Sequence, residues 1–189
     1  AGLAAPSVRA QFDGIELADS FIVDPHKWLF APFDCCALVY QDPSIAREAH
    51  QQQGAYLEVI YDGIWNAADY AHHLSRRARG LPLWFSLATH GTQAYADAVE
   101  QTLTVAQEAA KRIEQHPNLE LVTDQLLSIC VFRRKGWTLE DYNQWSEGQL
   151  EDGLSFVTPT KHKGETVLRF CIVNPRTTVE HIEEILASL

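Results

Sequence analysis

The residues best equipped for chemistry lie together at Asp24-Pro25-His26-Lys27-Trp28, directly after the apolar run Phe21-Ile22-Val23. A lysine amine becomes a useful nucleophile when burial or neighbouring positive charge brings its pKa toward neutrality. A strand that ends in a short loop presents such an amine at a sheet edge. Pro25 stiffens that loop, because its ring fixes φ and restricts the residue before it. His26 brings a ring able to hydrogen-bond an anion such as phosphate, and Trp28 brings bulk that excludes water. By residue type alone, a His-Lys pair in a loop is ordinarily solvated surface. The surrounding sequence decides between the two readings.

From Ala18 to Tyr40 the chain reads ADSFIVDPHKWLFAPFDCCALVY. Further on come Ser75-Arg76-Arg77-Ala78-Arg79-Gly80-Leu81-Pro82-Leu83-Trp84-Phe85 and, late in the chain, Arg169-Phe170-Cys171. These segments, in this order, closely resemble the group II pyridoxal-phosphate decarboxylases, which act on aromatic amino acids, histidine or glutamate. The similarity spans nearly the whole chain. It implies an α/β chain of the fold type I, aspartate-aminotransferase-like class: part of a large domain followed by a small C-terminal α/β domain. It also implies pyridoxal 5'-phosphate as cofactor and Lys27 as the residue of the internal aldimine. His26 is then a contact of the cofactor phosphate, and Asp24 lies near that phosphate. The family often has asparagine at the Asp24 position. Two anions repel, so Asp24 is expected to turn away from the phosphate or to stand farther off. The implied reaction begins when the substrate amine displaces Lys27. Carbon dioxide leaves as electrons flow into the cofactor, and Lys27 returns after Cα is protonated.

The same resemblance assigns further roles. The family carries a catalytic tyrosine on a flexible loop about thirty residues beyond the lysine. Tyr56, in Gly54-Ala55-Tyr56-Leu57, lies 29 beyond Lys27 (56 − 27). A phenol near Cα delivers the proton that commits the intermediate to amine. Tyr61 competes for that role. In homodimers of the family this loop can cover the partner's site, so Tyr56 is expected to be able to act in trans. Ser75 and Arg76 match a substrate-binding pair, with the small residue affecting substrate choice and the arginine able to meet a carboxylate in bidentate fashion. The alternative for Arg76, with Arg77 and Arg79, is a basic cluster at a dimer interface. Asp34-Cys35 and Ser75-Arg76-Arg77 look closest to the aromatic branch. The expected function is therefore decarboxylation of an aromatic L-amino acid by a homodimer with shared active sites. The alternatives are an aldehyde-forming oxidative decarboxylation or a transamination on the same fold, or an inert fragment serving only in dimerisation. In this family phenylalanine in place of the loop tyrosine favours the oxidative route, and Tyr56 argues against it.

Composition narrows the class. The chain has 189 residues, is 46% hydrophobic and carries a formal net charge of −10. That length supports a real core, and that charge argues against a nucleic-acid partner. No apolar run approaches the ~18 residues of a membrane span, and no signal-peptide pattern opens the chain, so a cytoplasmic location is expected. Cys35, Cys36, Cys130 and Cys171 lack zinc-like spacing and read as reduced core thiols. His50, His72, His73 and His90 also lack the spacing of a metal site. There is no methionine, and the chain opens at Ala1-Gly2-Leu3. Set against the family, it reads as a C-terminal portion. It begins after the strand bearing the aspartate that meets the pyridine nitrogen, and it lacks the ring-stacking histidine and most of the phosphate loop. Alone it is expected to be incomplete.

The elements that must position these residues follow from pattern. Residues 1–80 read as the remainder of the cofactor-binding domain, with a mobile loop at about 44–74. Residues 81–116 read as a long linking helix, and 117–189 as the small domain. Pro6 to Gln11 reads as a short helix. Phe21 to Val23 and Cys36 to Tyr40 read as strands whose unbroken apolar character suits cover on both faces. Pro82 opens the long helix and Pro117 stops it. Leu87, Gly91, Ala94, Ala98, Thr102, Val105, Ala109 and Ile113 form its expected buried stripe. In the last segment, strands are expected at Asn118–Thr123 and Ser128–Arg133. Thr138 with Asp141 starts a helix that Gly153 ends, and Lys161-His162-Lys163-Gly164 turns a hairpin that returns as Val167–Val173. Arg169 reads as structural on that returning strand. A final helix begins near Thr177 or Thr178.

Overall fold

The computed structural model describes residues 1–52 and 65–189. The chain divides into two compact units, one of Ala1 with residues 10–91, the other of residues 2–9 with 92–189.

In the first unit, β1 (Ser20–Val23) pairs antiparallel with β2 (Ala37–Tyr40), with Phe21 opposite Val39 and Val23 opposite Ala37. The expectation of cover on both faces fails here, because Ile22 is 62%, Leu38 48% and Val39 58% exposed. A two-stranded ribbon has too little partner surface to bury both of its faces. Residues 43–50, expected within an irregular loop, instead form helix α1 (Pro43–His50). Asp42 caps it by accepting from the Ser44 N–H at 2.9 Å, and Pro43 supplies a ready-made first turn. A 3₁₀ turn follows at Ala67–Tyr70, tied to α1 by the 3.2 Å ion pair of Arg47 and Asp69. In place of a helix over Pro6–Gln11 stands one 3₁₀ turn at Arg9–Phe12, followed by Gly14 at φ 93°.

Helix α2 spans Gly80–Gln115 but is interrupted at Gly91, whose φ of 79° and ψ of 159° leave helical space. That conformation is open essentially only to glycine. The break corrects the expected stripe. Gly91 and Ala94 are exposed, and beyond the break the buried face is reset to Tyr95, Val99, Thr102, Leu103, Ala106, Ala109, Ala110 and Ile113. A 3.6-residue pattern drawn through a non-helical residue loses its phase, which is why only its later members hold.

The second unit owns the main core. Its sheet runs β3 (Leu119–Leu121), β4 (Ile129–Arg134), β6 (Glu165–Cys171), β5 (Thr160–His162) in space, antiparallel throughout. Cys130 and Phe132 of β4 face inward with Leu168 and Phe170 of β6, and the two phenylalanine rings lie 4.7 Å apart. The 92–115 part of α2, helix α3 (Leu139–Glu151) and helix α4 (Val179–Ala187) contribute to the same cluster through Val105, Ile113, Tyr142, Ile182 and Leu186. On the outer face Arg133 meets Glu120 at 2.9 Å and Glu165 at 2.5 Å, cross-strand pairs that cost no burial. Thr138 and Asp141 form the expected capping box of α3, and Thr178 with His181 forms a second on α4. The β5–β6 hairpin turns on Lys163 and Gly164 alone, at φ 50° and 87°, the two positive values a two-residue turn of this twist requires.

Candidate active site

The chain leaves β1 at Val23 and turns at once. The Lys27 N–H donates to the Asp24 carbonyl at 3.0 Å, and the Ala31 N–H donates to the Pro25 carbonyl at 3.0 Å. Pro25 is fully buried within this turn. Its fixed φ therefore serves both conformation and packing. The turn brings the Lys27 Nζ to 2.7 Å from Asp24 Oδ2, while the Lys27 side chain stays 67% exposed. The lysine donating to Asp24 holds that carboxyl below the usual carboxylate range. The Cys36 thiol lies close enough to lower it further. Loss of water around its sulfur, and then the Asp24 carboxylate, push that thiol up.

His26 points to the other strand. Its Nδ1 lies 2.5 Å from the Cys35 carbonyl oxygen and 3.2 Å from the Cys35 N–H nitrogen. A carbonyl only accepts, so the shorter contact assigns the proton to Nδ1 and leaves Nε2 as the ring atom able to meet a ligand. The Phe33 ring meets His26 edge-on, with centroids 5.1 Å apart. The lysine turn is thereby tied to the entry of β2. Asp34, at that entry, pairs with Arg79 at 2.9 Å, which draws the arginine segment to the same place. Arg79 holds the Asp34 carboxyl below its ordinary range.

Around these ties opens a cavity of about 1100 Å³, walled by β2, α1 and residues 65–79. Among the described residues its lining includes the cations Arg76 and Arg79 and the rings of His26, His50, His72 and His73, against one carboxylate, Asp34. In a chain of net charge −10 this is a local inversion of sign, suited to an anionic ligand. Apolar walls from Leu38, Val39, Trp65 and Tyr70 suit a ring.

The sequence-expected residues fall as follows. Lys27, His26 and Asp24 share one turn, with His26 on the cavity wall. Arg76 lines the cavity, whereas Ser75 is exposed and outside the lining. Tyr56 and Tyr61 lie outside the described residues. Arg169 is exposed on β6. Cys35 and Cys130 are buried, but Cys36 and Cys171 are exposed, which corrects the expectation of four core thiols. Among the described residues, no group of three or more His, Cys, Asp or Glu is disposed to hold a metal. Also among them, no helix is long and apolar enough to cross a membrane. Sequence reasoning missed Arg79 as the partner of Asp34 and the nearness of Cys36 to Asp24. Neither pairing has a spacing signature, because the first spans 45 residues and the second crosses from one strand to the next.

A lysine on a tight turn after a strand, tethered through histidine to a second strand, is the arrangement that a family comparison can decide. Residues 1–135 match the model of the pyridoxal-dependent decarboxylase conserved domain. The chain belongs to this family. It is similar to a 3,4-dihydroxyphenylacetaldehyde synthase of Aedes aegypti, 31% identical over 175 residues, covering 90% of this chain and 33% of that protein. It is also similar to tyrosine decarboxylase 2 of Arabidopsis thaliana, 32% identical over 189 residues, covering 95% of this chain and 34% of that protein. Among solved structures, the Oryza sativa TDC with PLP and tryptamine shares the fold, with a TM-score of 0.85 at 24% identity. That match covers 97% of this chain and 41% of the other. The pyridoxal-dependent decarboxylase chain thus spans roughly a third to two fifths of the length of its relatives.

Proposed function

We propose that this chain is the lysine-bearing part of a pyridoxal-phosphate-dependent carboxy-lyase that converts an aromatic L-amino acid to its amine and carbon dioxide. The observation that carries the proposal is the Lys27 turn, pinned to β2 through His26 and Cys35, in a chain matched by the decarboxylase family model. The donor set fits the cofactor. A primary amine suits its aldehyde carbon, and the free Nε2 edge of His26 and a cationic cavity wall suit its phosphate. When bound, pyridoxal phosphate supplies a conjugated ring that takes up the electron pair left at Cα as carbon dioxide departs.

The protein's own residues then have separate tasks. Lys27 holds the cofactor, and its Nζ is the atom that must shed a proton to bond carbon. Tyr56 protonates Cα, the role that the family resemblance gives to a loop tyrosine about this far beyond the lysine. Arg76, on the cavity wall, meets a substrate carboxylate, and Ser75 beside it shapes substrate choice. Leu38, Val39, Trp65 and Tyr70 give the cavity the apolar wall an aromatic side chain prefers. Residues 1–80 belong to the cofactor-binding domain of a cytoplasmic homodimer, 81–116 link, and 117–189 form the small domain.

A second reading is oxidative decarboxylation to an aldehyde, which the similarity to the Aedes aegypti synthase favours. Tyr56 supports the amine-forming reading. The test is to combine the chain with a family N-terminal half, add pyridoxal phosphate, and record the visible spectrum for wild type and Lys27→Ala. A band lost in the variant supports the proposal, and a band that survives the substitution overturns it. Assay of amine against aldehyde from L-tyrosine and L-tryptophan then separates the two reactions.

A further inference from the structure

Asp24 has a partner that its expected place near a phosphate does not explain. Its carboxylate lies 2.7 Å from Lys27 Nζ across a turn closed by the Lys27 N–H to Asp24 carbonyl bond. The Cys36 thiol, at the neighbouring strand entry, lies close to it. The i to i+3 spacing within a hydrogen-bonded turn places the two side chains next to each other. Asparagine could keep the shape of this contact but would carry no charge. We propose that Asp24 is a positioning residue that holds the Lys27 amine as an ammonium, so that Lys27 must give up this ion pair before it can bond an aldehyde. Bond formation uses the nitrogen lone pair, so the ammonium proton must first leave to water, and the aldehyde oxygen later departs as water. Among the described residues, His26 and Cys36 also lie near Asp24. The Cys36 thiol, pushed up by loss of water and by Asp24, stays neutral and leaves the carboxylate's charge directed at Lys27.

The inference deepens the role proposed for Lys27, yet its test needs no cofactor. The chain is pulsed with acetic anhydride across a pH series, and acylation at Lys27 is quantified by peptide mass spectrometry against the exposed Lys161. At 2.7 Å a unit-charge pair is worth about a tenfold bias toward the ammonium even at the dielectric of water, and exposure and salt reduce this to about 1.5- to fivefold. Asp24→Asn should therefore raise Lys27 acylation by about 1.5- to fivefold relative to Lys161 below the midpoint, while Asp24→Glu restores slow labelling. In unmodified protein, about 1 M salt should raise the same ratio, which keeps the test independent of how either variant folds. A ratio unmoved by salt and by Asp24→Asn overturns the inference. Because Lys27→Ala and the visible band report on Lys27 itself, failure here is distinguishable from failure of the proposed function.

Discussion

Cys130 offers a perturbation whose size follows from its position. Its side chain is fully buried on β4, its Sγ donates to the Ala106 carbonyl at 3.3 Å, and burial pushes the thiol from its ordinary 9.0 up to about 11. The native state therefore holds this proton more tightly than the unfolded chain does. The associated stability is fully present below about pH 9 and is lost as pH rises through about 11. A separation of about two units corresponds to about 2.7 kcal/mol in the limit, and to about 1.9 kcal/mol at about pH 10.5. Cys130→Ala removes the titrating group with little change of shape. Urea unfolding of both proteins at about pH 8 and about pH 10.5 isolates the thiol, because other alkaline ionisations cancel in the comparison. The stability difference should move by about 2 kcal/mol in favour of the alanine variant at the higher pH. A difference that stays constant between the two pH values would refute the reasoning, since it would mean that the native thiol ionises as easily as the unfolded one.

Thr138→Ala removes the side chain that accepts from the Asp141 N–H and should lower stability by about 1 kcal/mol in urea unfolding, with the α3 amides exchanging faster. Gly91→Ala meets no atom within 4 Å of the new Cβ, so its whole cost is backbone conformation, about 1–3 kcal/mol. A urea midpoint equal to wild type would show that the helix break is not required. For Arg79→Met, carbon-13 NMR should find the Asp34 carboxyl titrating at higher pH than in wild type, because the guanidinium that lowers it is gone. The sign follows: the Asp34–Arg79 pair contributes above the ordinary carboxylate pKa, and its contribution is lost as pH falls through the lowered value.

The legible parts of this molecule are those whose causes lie within a few residues. Thr138 three positions before Asp141, Pro117 after the long helix, and Lys163-Gly164 between two strand patterns each act through local backbone chemistry, and each sits where that chemistry puts it. The Lys27 turn belongs with them, since Asp24, Pro25, His26 and Lys27 are consecutive. Helix α1 was equally local in its causes, but the polar composition around it hid the Asp42-Pro43 start signal. Gly91 misled in the opposite direction. Its spacing fitted a buried stripe, whereas its freedom at positive φ breaks the helix there. The Asp34–Arg79 tie was out of reach for a different reason, since no periodicity links residues 45 apart. The exposure of Ile22, Leu38 and Val39 depends on how many strands lie beside them, which the strands' own residues do not encode.

The short opening segment has a bearing on synthesis. Ser7 donates from its backbone N–H and its hydroxyl to the two carboxylate oxygens of Glu100, at 2.9 and 2.6 Å, and Ala5 and Val8 are buried beside the same unit. Glu100 leaves a ribosome 93 residues after Ser7, so the contact waits until that stretch has been made. Closing a loop of that length costs about 4 kcal/mol of chain entropy, so the segment has to dock late, onto a surface already in place. A recombinant unit begun at Thr92 would lack this strip, and Glu100 would lose both of these donors.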